Sequence, residues 1–218
     1  MSRGAACVTV GPASLEAELA LPADARGVIV FAHGSGSSRL SPRNQHVARA
    51  LEERGFATLL LDLLTPKEAA DGRHVFDIAL LGERVGDAIS WVRADRRTGH
   101  LPPGLFGAST GAAAALVAAA RFPGTVSAIV SRGGRPDLAA DVLPAVRAAT
   151  LLIVGGLDHV VITLNREALH RLSCVKQLEL VAGATHLFEE PGTLDAVVEL
   201  AACWFERYLQ PHHGLAAS

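Results

Sequence analysis

The stretch LFGASTGAAAAL, from Leu105 to Leu116, sets one serine between two small residues, with a glycine two positions away on either side. A serine hydroxyl is a weak nucleophile at neutral pH. It attacks a carbonyl group only with a base in hydrogen-bond reach, a third group to orient that base, and N–H donors where negative charge gathers. The pattern around Ser109 suits such a role. Residues up to Gly107 read as strand and those from Gly111 as helix, so Ser109 falls on a sharp strand-to-helix turn. The backbone on both sides of such a turn approaches closely, and only small residues fit at 107 and 111. The Ala112–Ala115 run has a plainer meaning, close packing of the helix on a sheet.

A serine on such a turn is followed in the chain by an acid and then a histidine. Among nine histidines, His186 in VAGATHLFEEPG lies between the last strand and the last helix. A loop after a strand's C-terminal end is where an α/β sheet gathers its chemistry, so His186 is the candidate base. His33 also ends a strand, but inside HGSG, where the backbone matters more. His46, His74, His100, His170, His212 and His213 read as helical or surface positions, and His159 as surface. Asp158, in LLIVGGLDHVV, follows a buried strand through a Gly-Gly turn and is the candidate acid. Asp137, in SRGGRPDL, is the alternative one strand earlier. Either could instead be a turn or helix-cap aspartate. Two backbone N–H groups should form the oxyanion hole: Thr110, which follows the nucleophile, and Ser35 in the FAHGSGSSR loop, with Gly34 or Gly36 as neighbouring alternatives.

These residues need a frame that brings the ends of several strands together. The chain alternates β-type and helical patterns, which argues for a parallel sheet covered by helices. Cys7–Val10 and Leu15–Leu21 read as early strands, the second alternating as an edge hairpin should. Continuous apolar runs mark buried strands at Gly27–Ala32 and Ala57–Leu61. Further strands are expected at Leu105–Gly107, Val126–Val130, Thr150–Val154 and Gln177–Val181. Helices are expected at Asn44–Arg54, Phe76–Arg93, Gly111–Arg121, Thr163–Leu172 and Leu194–Leu209, with Asp137–Val146 only partly helical. Thr65–Arg73 is polar and turn-rich, a surface loop or a partial lid. The expectation is one α/β domain over residues 1–218, with about eight mostly parallel strands, a core from about 26 to 209, a flexible tail at 210–218 and no cap domain.

Taken together, AHGSGSS, GASTG, VGGLDHVV and GATHLFEEPG occur in an order and spacing that resemble the α/β-hydrolase superfamily. The branch they resemble is the small, lidless one grouped with dienelactone hydrolases. DLLTPKE, FDIALL and SRGGRPDLA also resemble a bacterial subgroup sometimes fused to a phosphoribosyltransferase domain. The resemblance spans about Arg26 to Leu209. It implies a serine hydrolase, because dienelactone hydrolases carry a cysteine where this chain has Ser109, and the dienelactone substrate is therefore not implied.

Bulk properties exclude other classes. The net charge of −2 gives no electrostatic case for nucleic acid or an anionic membrane surface. The longest uncharged apolar run, Gly111 to Ala120, falls far short of the roughly 18 residues of a membrane span. The N-terminus lacks a signal-peptide pattern. Cys7, Cys174 and Cys203 share no metal spacing and read as free thiols in a reducing cytoplasm. Neither HExxH nor GxxxxGK[ST] occurs, which disfavours a zinc protease or a phosphate-loop enzyme. The chemistry expected of the three groups requires no metal or organic cofactor.

The expected function is hydrolysis of carboxylic esters of small molecules through an acyl-enzyme. Thioesters, lactones and acyl transfer use the same groups, and a non-catalytic binding module is the rival of another class. Arg132, just past a strand's end, and Arg39, at the end of the HGSG loop, could clamp an anionic substrate; ion pairs to Asp62, Asp137 or Asp158 are their structural alternative. Without a cap domain, the pocket is expected to be open and shallow and to favour short or exposed ester groups.

Overall fold

The computed structural model describes residues 5–210, so the expected tail beyond Gln210, with His212 and His213, lies outside the described residues. Eight strands form one sheet in the order β1-β2-β4-β3-β5-β6-β7-β8. They are β1 (Ala6–Val10), β2 (Leu15–Ala20), β3 (Val28–Ala32), β4 (Ala57–Leu61), β5 (Pro103–Ala108), β6 (Ala128–Arg132), β7 (Ala149–Gly155) and β8 (Lys176–Val181). The β1–β2 hairpin runs antiparallel against β4, and all pairings from β4 through β8 are parallel. Every residue of β3, β4, β5, β6 and β7 is buried, as strands covered on both faces require.

Six α-helices cover the sheet: α1 (Pro42–Glu53), α2 (Pro66–Ala69), α3 (Ile78–Ala94), α4 (Thr110–Arg121), α5 (His159–Arg171) and α6 (Thr193–Tyr208). One core lies under α3, α4 and α5, and holds Leu105, Ile129 and Leu152 from the strands. The other lies under α1 and α6, and holds Phe31, Phe106, Val130 and Ile153. Successive strand residues thus feed opposite cores. Ala112, Ala113, Ala114 and Ala115 are all fully buried, which bears out the packing reading of the alanine run. No described helix is long and apolar enough to cross a membrane.

Several boundaries differ from the sequence reading, among them that of β6, which lies two residues later than the expected Val126–Val130. Asp158 caps α5 through its side chain, which accepts from the Val161 amide, so the helix begins at His159, four residues before the expected start. Pro136–Ala145 is two pieces of 3-10 helix that meet at a kink at Ala139, in keeping with the partly helical reading, with its ends one residue earlier than expected. Thr65–Arg73 contains α2, only four residues long, held by a reciprocal capping box between Thr65 and Glu68. Glu68 also pairs with Arg84 of α3 at 3.1 Å. Cys7, Cys174 and Cys203 are free thiols.

The tightest constraint on the frame is the entry to α4. A methyl group at Gly111 would overlap the carbonyl oxygens of Ala32 and His33 at the end of β3, and one at Gly107 would lie 2.8 Å from the Ala112 nitrogen. Backbone there has little room to yield. Gly111→Ala should therefore destabilise the chain by about 1–3 kcal/mol, the usual range for forced overpacking. Urea unfolding measures this, and an unchanged midpoint would mean that the α4 entry relaxes freely.

Candidate active site

Ser109 sits between β5 and α4 with φ 51° and ψ −120°, in a region L-residues rarely occupy. Its amide donates to the Arg132 carbonyl at 3.1 Å, and its carbonyl accepts from the Arg135 amide at 3.1 Å. The turn is thus fixed against the neighbouring β6 and projects the serine side chain from the sheet's C-terminal edge.

Asp158 and His186 meet at the same edge, from the loops after β7 and β8. His186 Nδ1 lies 2.7 Å from Asp158 Oδ2. The carboxylate can only accept, so Nδ1 carries the proton and Nε2 is left as a base. The two loops are stitched by their backbones: the Gly156 amide donates to Val181 at 2.8 Å and the Leu157 amide to Ala184 at 3.0 Å. A methyl at Gly155 would overlap the carbonyls of Ala184 and Thr185, so the Gly-Gly turn permits this approach. Asp137, the alternative acid, instead makes a bidentate pair with Arg135 at 2.9 and 2.8 Å. Among the described residues, Ser109 makes no hydrogen bond to His186. His186 lies near Ser109's neighbours nonetheless, since a methyl at Gly133, next to Arg132, would fall 3.6 Å from His186 Cε1.

Two residues that sequence reasoning missed steady the histidine loop. Glu190 accepts from the Thr185 amide at 3.1 Å and from its hydroxyl at 2.6 Å. Those bonds hold its carboxyl below the usual carboxylate range. Phe188, buried with φ 55°, anchors the loop in the core under α1 and α6. The polar FEEP segment carried no spacing that would have singled out Glu190.

The HGSG loop lies directly beside the serine. A methyl at Gly34 would stand 3.0 Å from Ser109 Cβ. Thr110 opens α4, and first-turn amides have no acceptor within their own helix. The Ser35 amide, however, donates to the Thr110 hydroxyl at 2.9 Å. It can serve an oxyanion only by exchanging that partner. His33 braces the loop: Nδ1 faces the Gly34 carbonyl at 2.9 Å and Nε2 accepts from the Leu63 amide at 3.1 Å. Burial lowers its pKa, which keeps it neutral as this bonding requires.

The two arginines expected to clamp an anionic substrate stand in different surroundings. Arg39 is ringed by Asp62, by Glu16 at 2.6 Å and by Glu18 at 3.8 Å, so its charge is more than matched by the protein itself. This is the ion-pair role with Asp62. Arg132 is 8% exposed and makes none of the expected ion pairs. Strand alternation from Val130 puts it on the α1/α6 face of the sheet. Its Nη1 is buried without a hydrogen-bond partner. Burial, and then the nearby charge of Arg43, bring its pKa down to about 10, so it remains charged at neutral pH.

Comparison with known proteins agrees with this fold. Residues 27–180 match the model of the alpha/beta hydrolase fold. The chain belongs to the α/β-hydrolase family. A crystal structure of dienelactone hydrolase from Anabaena variabilis superposes with a TM-score of 0.91 at 52% identity, covering 96% of this chain and 99% of that one. The esterase domain of a Rhodothermus marinus protein shares the fold at 22% identity, with a TM-score of 0.73 over 94% of this chain and 99% of its own. A putative phosphoribosyl transferase of Mycobacterium tuberculosis H37Rv is 55% identical over 202 residues, 93% of this chain and 46% of the relative. The chain thus spans about half the length of the curated relatives it matches.

This α/β-hydrolase chain also has a sizeable cleft beside the serine turn. A cavity of about 490 Å³ borders Gly34, Ser35 and Thr110 and is walled by α2 and α3. Its size falls in the range of pockets that enclose drug-sized ligands. The Thr65–Arg73 segment supplies part of that wall.

The two arginines should respond oppositely to removal of charge. Arg39→Met leaves three clustered carboxylates without their cation and should lower the melting temperature. Arg132→Met replaces a buried, unpaired charge with an apolar chain of similar length and should leave the melting temperature unchanged or raised. Thermal unfolding of both variants checks this, and a larger loss for Arg132→Met would contradict it.

Proposed function

We propose that this α/β hydrolase cleaves carboxylic esters through a covalent acyl-enzyme on Ser109. The observation that carries the reading is the 2.7 Å Asp158–His186 hydrogen bond at the sheet edge where Ser109 occupies its strained turn. In this mechanism Ser109 Oγ attacks the acyl carbon and His186 Nε2 takes its proton. Asp158 holds the imidazole in the correct tautomer and stabilises its charged form. The Thr110 amide donates to the oxyanion, joined by the Ser35 amide once it releases the Thr110 hydroxyl. His186 then protonates the leaving alcohol, and water activated by His186 frees the acid.

The similarity to a dienelactone hydrolase supports ester chemistry, since a lactone is an internal ester. The Mycobacterium relative is matched over only 46% of its length, so a phosphoribosyl transferase activity does not carry over to this chain.

Wild-type protein should hydrolyse p-nitrophenyl acetate, and Ser109→Ala should lower kcat by about a thousandfold or more, leaving the residual expected when one member of such a triad is removed. Turnover that survives Ser109→Ala undiminished would overturn the mechanism.

A further inference from the structure

We infer that the cavity beside the HGSG loop is the acyl pocket, and that it selects an uncharged, apolar acyl group several carbons long. This inference rests on the ester-hydrolase reading and names the substrate class of the same site.

Position assigns the cavity to the acyl side of the ester. In an ester bound for attack, the carbonyl oxygen faces the oxyanion donors, while the leaving oxygen must face His186 Nε2 to receive its proton. The cavity borders Ser35 and Thr110, which lie on the oxyanion side. None of Ser109, Asp158 or His186 lines it. The group that enters it is therefore the one attached to the carbonyl carbon on the side away from the histidine.

Lining assigns the chemistry. Leu15, Leu63, Leu64, Ala69, Val75 and Leu81 converge on the cavity from β2, the β4–α2 connection, α2, the 3-10 turn at His74–Phe76 and α3. The charged lining consists of Arg39 set against Glu16 and Asp62, with Glu18 as a further partner of Arg39 just behind. One guanidinium faced by three carboxylates leaves the region net negative and offers no free cation. An acidic acyl group would be repelled there, and an alkyl or aryl group would displace water from apolar walls.

Walls that are fixed can discriminate by length. The capping box at Thr65 and the Glu68–Arg84 pair hold α2 in place, so Ala69 has a defined position on the rim. A larger side chain at Ala69, which is solvent-accessible, or at Val75 should fill the space without opening the core.

The test is kcat/KM for p-nitrophenyl acetate, butyrate and hexanoate, for mono-p-nitrophenyl succinate, and for acetate esters of longer alcohols. Each methylene buried is worth about fourfold, so burial of even about two of the methylenes that hexanoate adds should raise it above acetate by about tenfold or more. The acidic succinate should fall about tenfold below butyrate, and lengthening the alcohol should have little effect. Ala69→Trp, with Val75→Trp as a second variant, should cut the hexanoate-to-acetate ratio by about tenfold. Acetate preferred over hexanoate, a ratio unmoved in both variants, succinate favoured over butyrate, or a dependence on alcohol length in place of acyl length would each overturn the acyl pocket while leaving ester hydrolysis standing. No turnover of any ester by the wild-type protein would overturn the ester-hydrolase reading itself, and the pocket's assignment with it.

Discussion

The contact between the loops after β7 and β8 is the constraint on which the site depends. Asp158 and His186 are 28 positions apart in the chain and belong to different connections. Their 2.7 Å bond exists because the backbones beneath them approach closely enough for the Gly156 and Leu157 amides to donate to the Val181 and Ala184 carbonyls, and that approach requires glycine at 155. Glu190 and Phe188 then fix the histidine loop from its far side. The pair of side chains is short-range chemistry, but the geometry comes from close backbone packing.

The same device recurs at the serine. Gly107, Gly111 and Gly34 each stand where a methyl would meet backbone or Ser109 itself. The result is a turn with φ 51° at Ser109, held from both sides by amide bonds to β6 and to the segment after it. Strain of this kind persists only where the surroundings over-determine it. Here three backbone segments do so, and the Thr110 hydroxyl ties the HGSG loop to the same helix entry through the Ser35 amide.

Much of this was legible in the sequence, for physical reasons. Strand interiors such as GVIVFA and ATLLL have one reading, because a continuous apolar run of that length must be buried on both faces. The strand–turn–helix setting of Ser109, and the placement of Asp158 and His186 after later strands, follow from local pattern and chain order. What pattern could not supply was direction and partnership. Arg132 does end a strand, yet alternation sets it on the α1/α6 face, where it is buried without the expected carboxylate partner. Arg39 does end the HGSG loop, yet Glu16 and Glu18, from a strand far earlier in the chain, claim it together with Asp62. The short α2 was hidden because a four-residue helix has no periodicity to read; its signal was the Thr65–Glu68 capping box. With it went one wall of the cavity, which Thr65, Pro66 and Ala69 supply.

The account turns on Ser109 being activated by the Asp158–His186 pair. The most direct measurement is the rate and site of labelling by a fluorophosphonate, read by mass spectrometry of the intact protein and of its peptides. The account expects a single adduct on the peptide carrying Ser109. It also expects labelling slowed by about 10⁴ in Asp158→Asn, in which the histidine is left in the wrong tautomer. An adduct at another residue, or a labelling rate unchanged by Asp158→Asn, would contradict it.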